Sequence, residues 1–334
     1  IGNYVSASVP ASASASGGTS AKGGAIYNYY DSTIGDITGD FIGNYASASG
    51  GTSADGGAIY NFGAAIGDIT GDFIGNYAVS DSNSASGGAI STSDNSTIGD
   101  ITGDFVGNFV SGKNVAVGGA IYNEYSTIGD ISGSFINNTA ESATGIAFGG
   151  AIVNSGTIGD ITGSFINNTA ESPNSLALGG AIFSMSSINI TANNSQSTFS
   201  GNKTISNGSV EQNAIAMYGY YISEEVAANY GLPSGGFADP LTGNISPENP
   251  AILTLKAENN GSIIFNDTIK GGAIDYYQIE ISGGKITPDS IIETPETAFT
   301  LNITGDKTGK ITLNNDIINA NISIDNTNVY VNTA

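Results

Sequence analysis

The stretch Gly118–Asn138, GGAIYNEYSTIGDISGSFINN, holds the three phrases that decide the fold: GGAI at 118–121, IGDI at 128–131 and FINN at 135–138. Each phrase recurs along the chain. GGAI starts at Gly23, Gly56, Gly87, Gly118, Gly149 and Gly179, at intervals of 33, 31, 31, 31 and 30 residues. IGDI starts at Ile34, Ile66, Ile98, Ile128 and Ile158, with a degenerate INIT at Ile188. Phe-x-x-Asn starts at Phe41, Phe73, Phe105, Phe135, Phe165 and Phe199. Every period thus carries three short apolar segments parted by turns. One such unit cannot bury its apolar side chains alone, but stacked units can. The segments are short, Gly-rich and β-branched, without a 3.6-residue period, so helices fit the repeat poorly. The expectation is an all-β parallel β-helix (solenoid) of about 31 residues per rung, with rungs ~4.8 Å apart.

Stacking turns each repeated position into a column. Phe41, Phe73, Phe105, Phe135, Phe165 and Phe199 are expected to form an aromatic column in the core. Asn44, Asn76, Asn108, Asn138, Asn168 and Asn202 are expected to pass amide hydrogen bonds from rung to rung at a corner. The paired glycines of GGAI mark a sharp turn or close backbone approach. Between Phe-x-x-Asn and the next GGAI the spacing varies, which predicts a surface loop of Ser, Ala, Gly and Thr.

The acidic columns carry the one metal expectation. Asp36, Asp68, Asp100, Asp130 and Asp160 align, and so do Asp40, Asp72 and Asp104, continued by Ser134 and Ser164. Like charges ~4.8 Å apart in water repel by roughly 0.9 kcal/mol per pair. Backbone N–H groups at the turn offset this in one reading; bridging Ca²⁺ along Asp36, Asp68, Asp100, Asp130 and Asp160 offsets it in the other. No other cofactor is expected.

Composition narrows the function. Of 334 residues 48 are Gly, about twice the usual share. The chain holds eight Lys, no Arg, His, Cys or Trp, and 30 acidic residues, for a net charge of −22. Cys/His zinc sites, His-based nucleophilic triads, disulfides and bidentate Arg–phosphate clamps are excluded. So charged a chain is repelled by nucleic acid and by anionic lipid. Polysaccharide hydrolysis needs two carboxylates in unlike environments, and repeated Asp residues single out no pair; the expectation is a protein that is not an enzyme. A single interrupted column, Thr38, Thr70, Thr102, Ser132 and Thr162, is too narrow for an ice-binding array.

GGA[ILV] and Phe-x-x-Asn recurring together over residues 23–202 resemble the polymorphic outer membrane proteins and, more broadly, autotransporter passengers. Ile252–Leu255, Ile263–Ile269, Thr300–Gly305 and Gly309–Asn315 are similar to the C-terminal part of such passengers. The resemblance implies a right-handed β-helix exported to the bacterial outer surface or beyond, with an adhesive or display role as a rigid stalk. It implies partners on a host or neighbouring cell, glycan or protein, and contact with membrane only through an anchor or barrel that residues 1–334 do not contain.

The second half reads differently. Residues 1–212 form the repeat, 213–250 an irregular insertion with a short helix after Ser223, and 251–334 smaller rungs of near 20 residues. Six or seven large rungs and about four small ones make a rod of roughly 50 Å. Tyr218, Tyr220, Tyr221, Tyr230 and Phe237 make the insertion the most aromatic stretch, a candidate binding surface. The chain opens on Ile1-Gly2-Asn3-Tyr4, the tail of a copy without its Phe. A neighbour's rung around Asn328–Asn332 could complete it. The alternative to a stalk is therefore an extracellular filament subunit stacked head to tail.

Overall fold

The computed structural model describes residues 4–8, 20–50, 53–222, 236–238, 245–246, 251–275, 291–292 and 297–332. These residues form parallel strands stacked in register along one axis, and no α-helix occurs among them. The chain is a parallel β-helix. Ile34 pairs with Ile66, Ile66 with Ile98, Ile98 with Ile128 and Ile128 with Ile158. Ile37, Ile69, Ile101, Ile131 and Ile161 form the next column. The repeats align residue for residue because a one-residue slip would turn every buried side chain outward.

The Phe column stands as expected and gains a member. Phe73, Phe105, Phe135, Phe165 and Phe199 are fully buried, and successive ring centroids from Phe41 to Phe199 lie 4.7–4.8 Å apart. Phe265 continues the stack 4.2 Å from Phe199. The Asn column stands too. Asn76 Oδ1 accepts from Asn44 N and Asn44 Nδ2, at 3.0 and 2.8 Å, while Asn76 Nδ2 donates to Phe41 O at 2.8 Å. Asn108, Asn138, Asn168 and Asn202 repeat this pattern.

Asp267 ends that ladder. Its carboxylate accepts Gly201 N, Asn202 N and Asn202 Nδ2 at 2.8–3.0 Å. Here the turn is one residue shorter, and Asn266 N itself donates to Phe199 O. The side chain therefore has only donors to meet, and an acceptor-only group fits. Burial pushes the Asp267 carboxyl above its ordinary value, against the pull of the Asn202 and Gly201 donors.

The expected surface loop is instead a two-strand arch. After Asn44 the chain runs out as Tyr45–Ser49 and returns as Ser53–Asp55. The return strands pair in parallel from rung to rung, through the columns Ala21, Ala54, Ala85, Ala116, Ala147 and Ala177. Ala46, Ala48, Ala78, Val110 and Ala140 on outgoing strands bury against the return strands. The small residues are there because the layer between the strands is thin; the variable spacing is confined to the arch tip. The glycine pair closes the arch base. Gly56 sits at φ +65°, and a Cβ on Gly57 would collide with Gly88 O.

The boundary expected at Asn213 is corrected. Ser209–Ile222 is a single strand whose residues 215–217 pair with Ile182–Ser184. The same strand pairs onward with Thr268–Asp275, so the helix continues through it. Gly271 and Gly272 lie inside that second strand rather than at a corner. The expected helix after Ser223 lies outside the described residues. The second half builds three further rungs on the Ile face, at Ile252–Glu258, Phe299–Gly305 and Ala320–Asp325. Two partner steps are long, 65 residues from Ile190 to Leu255 and 48 from Leu255 to Ile303. Only the last step, Ile303 to Ile324, is a small rung of 21 residues, and it lacks the arch. Among the described residues the Ile face counts nine strands, whose eight steps span about 38 Å, and Tyr4–Ser8, paired with Tyr45–Ser49, adds a rung on the arch side.

Candidate binding site

The acidic columns come first, since the metal expectation rests on them. Asp36 Oδ1 accepts the backbone N–H of Asp68 at 3.0 Å, and Asp68, Asp100 and Asp130 accept that of the next Asp at 2.8–2.9 Å. Asp40, Asp72 and Asp104 do the same toward Asp72, Asp104 and Ser134. A hydrogen bond to a charged group contributes roughly 1.5–3 kcal/mol when sheltered. Discounted for solvent, it is still of the size needed to offset the like-charge repulsion. Among the described residues no three acidic side chains converge as a metal site.

The aromatic candidates in the second half divide. Tyr218 is fully buried, with its ring centroid 6.0 Å from that of Phe183. It belongs to a second core with Phe148, Leu178, Phe183 and Ile274, so it is a packing residue and is corrected as a binding candidate. It is buried because its strand stays in the stack. The backbones of Tyr220, Tyr221 and Phe237 lie in an antiparallel pair; their side chains, and Tyr230 altogether, lie outside the described residues.

An aromatic surface that the sequence reading overlooked lies at the other end. Along Ile26–Tyr29, strand alternation turns Ile26 and Asn28 inward and Tyr27 and Tyr29 outward. The next rung places Tyr60 beside Tyr27 and Phe62 beside Tyr29. Ring centroids are 5.6 Å apart for Tyr27–Tyr60, 5.5 Å for Tyr29–Phe62 and 6.0 Å for Tyr60–Phe62; the last two pairs lie within 19° of parallel. Tyr30 joins edge-on, 4.3 Å from Tyr29 and 5.2 Å from Phe62. Tyr30 and Asp31 hold φ of +30° and +50°, a costly conformation for non-glycine residues. Gly63, below, leaves room for the Tyr30 ring that a Cβ would take. Tyr27, Tyr29 and Tyr30 are 52%, 45% and 51% exposed.

The same outward column shows why Tyr27 stays open while Tyr60, under Lys22, is only 4% exposed. It continues through Ser91, Tyr122, Val153 and Phe183. Toward the C-terminal rungs, Phe148 and Leu178 on the return strands cover it. In the first two rungs the facing residues are Lys22 and Asp55 instead. Lys22 Nζ donates to Tyr60 Oη at 3.0 Å and sits 4.4 Å from that ring's centroid. Burial pulls the Lys22 pKa down, but the Tyr60 hydrogen bond and the charge of Asp55 leave it raised. Asp55 accepts from Ser53 Oγ at 2.7 Å and Ser86 Oγ at 2.8 Å; burial nonetheless pushes its carboxyl up. Glu124 is raised for the same reason.

Beside Tyr30 opens a depression of about 190 Å³, lined by Asp31, Ser32, Thr33, Gly63, Asn95 and Thr97 among others. Tyr30, packed over Gly63, brings the aromatic cluster to the edge of this hollow. The signal was present in the sequence as IYNYY at 26–30 over IYNF at 59–62, read with the two-residue period.

The fold defines the class, an all-β repeat solenoid. No protein-family model matches the chain, and no similarity to a curated protein or to a solved structure reaches significance.

Proposed function

We propose that this chain is a display rod of a cell-surface or secreted protein, acting by binding, with Tyr27, Tyr29 and Tyr30 as its contact surface. The observation that carries this reading is the trio Tyr27, Tyr29 and Tyr30, each about half exposed, backed by Tyr60 and Phe62 and mounted on hydrogen-bonded rungs. Three half-exposed tyrosines in one patch stand out from the single apolar side chains of ordinary surfaces. Aromatic residues on rigid backbone lose little entropy on contact. The resemblance to autotransporter passengers supports the surface location. Beads coated with the protein are expected to attach to bacterial cells or mucin-coated glass more than beads coated with a Tyr29→Ala/Tyr30→Ala variant. Equal attachment overturns the assignment of the platform.

A second reading rests on the last described rung. Ile322, Ile324 and Val331 are 51%, 57% and 62% exposed around a depression of about 310 Å³. These residues continue inward-facing columns, so a further rung, of this chain or of a neighbouring copy, would cover them, and in this reading the copy supplies it. Sedimentation velocity across a hundredfold concentration range is the test; a rod that stays monomeric overturns it.

A further inference from the structure

We infer that the platform takes a neutral saccharide, a sugar ring laid against the exposed tyrosines Tyr27, Tyr29 and Tyr30 with hydroxyls directed into the hollow beside Tyr30. This inference rests on the binding-rod reading and names the ligand class for the same site.

Three features argue for it. The first is shape. Tyr29 and Phe62 stack against each other at 19° with centroids 5.5 Å apart, so the surface open to a ligand is that of Tyr27, Tyr29 and Tyr30, each about half exposed, with centroids 5.4 Å apart for Tyr27–Tyr29 and 4.3 Å for Tyr29–Tyr30. A pyranose has one face of C–H groups and a rim of hydroxyls, and such a face lies on an aromatic ring whose negative quadrupole meets the polarised C–H bonds. The second is the border. Asp31, Ser32, Asn95 and Thr97 line the hollow next to the rings. A Cβ built on Gly63 lies near both the Tyr30 ring and Asp94 Oδ2, so a second carboxylate stands at the same edge. Carboxylate, hydroxyl and amide groups set around an apolar floor are the few convergent polar groups that orient a polyhydroxylated ligand.

The third is charge. The only cation described at the platform, Lys22, is already engaged by Tyr60 and lies over its ring. With Asp31 and Asp94 at the rim and −22 on the whole chain, an acidic polysaccharide is repelled. A cationic peptide is the competing occupant. The geometry favours the sugar because the rings touch one another, with Tyr29 and Tyr30 at 4.3 Å, so no gap between faces remains to cage an ammonium group.

The test is titration of the 334-residue chain, followed by calorimetry, with cellohexaose, chitohexaose and mannohexaose, and with polygalacturonate and polylysine as counter-probes. The expected result is binding of at least one neutral hexasaccharide, little changed between low and high salt. Tyr29→Ala is expected to weaken it about tenfold or more, while Tyr29→Phe keeps it within about threefold. Melting of each variant shows that the fold is retained, which is expected because the ring is half exposed. Salt-sensitive binding of polylysine alone, or binding of no neutral hexasaccharide, overturns the saccharide assignment. If bead attachment still falls with Tyr29→Ala/Tyr30→Ala while no hexasaccharide binds, the saccharide falls and the binding-rod reading stands. If attachment and saccharide binding are both indifferent to those substitutions, both fall.

Discussion

At the scale of single residues, a second internal ladder shows what one substitution in a repeat does. Asn28, Asn61, Thr92, Asn123, Asn154 and Ser184 occupy one buried column, inward of the platform. Asn28 Nδ2 donates to Asn61 Oδ1 at 2.9 Å, and Asn123 Nδ2 to Asn154 Oδ1 at 2.8 Å. Thr92 interrupts the chain. Its Oγ1 and the Oδ1 of Asn123 are both buried without a hydrogen-bond partner. Asparagine at 92 would accept from Asn61 and donate to Asn123, as its column neighbours do. Thr92→Asn is therefore expected to stabilise the protein by about 1–2 kcal/mol, read as a higher urea midpoint at unchanged m-value.

At the scale of elements, each column acts through its neighbours, so cost depends on place in the stack. Phe135 lies between Phe105 and Phe165 at 4.7 Å on either side, whereas Phe41 has one ring neighbour and is 7% exposed. Phe135→Ala is expected to cost about 3–5 kcal/mol, and Phe41→Ala clearly less, in the same denaturation experiment. The acidic column makes a different prediction. Its repulsion is met by one backbone N–H per step, so removing divalent cations with EDTA is expected to leave Tm unchanged within about 1 °C; a drop of several degrees would support the calcium reading instead.

These elements also show how legible the chain was. The Phe, Ile and Asn columns were readable because residues one period apart must stack. The arch was not, since alternating Ser and Ala looks like a loop until a facing strand covers it. Nor was the fate of Tyr218. Its aromatic neighbours suggest a surface, and only the pairing of Ser209–Ile222 with strands on both sides shows that it is enclosed. The platform was half legible. Two-residue alternation turns Tyr27 and Tyr29 outward, but whether an outward column is open or covered depends on the strand opposite.

At the scale of the whole molecule, charge dominates. Asp55, Glu124 and Asp267 have carboxyls raised chiefly by burial. A raised carboxyl contributes stability that is present below its unfolded value and lost as pH rises through its folded value. Lowering the pH from 7 toward 5 also relieves part of the net charge of −22. Tm is therefore expected to rise over that interval. Asp306 opposes it further down. Held to about 2 first by the backbone N–H of Asn259 and then by Thr308, it loses its contribution as pH falls below the ordinary carboxylate range. A Tm that falls steadily from pH 7 to 5 would contradict this balance.

The repeat alone determined that the chain is a parallel β-helix, which residues face inward, and that its corners need Gly and Asn. A period of about 31 residues allows each apolar group one burial partner, its own equivalent in the next rung. Which outward residues are covered was decided only by tertiary structure. Coverage comes from the arch's return strand, whose facing residues change along the rod from Lys22 and Asp55 to Phe148 and Leu178. That contact is made across the glycine turn, as between Ser86 and Ser91, and in the first rung it leaves Tyr27, Tyr29 and Tyr30 about half exposed.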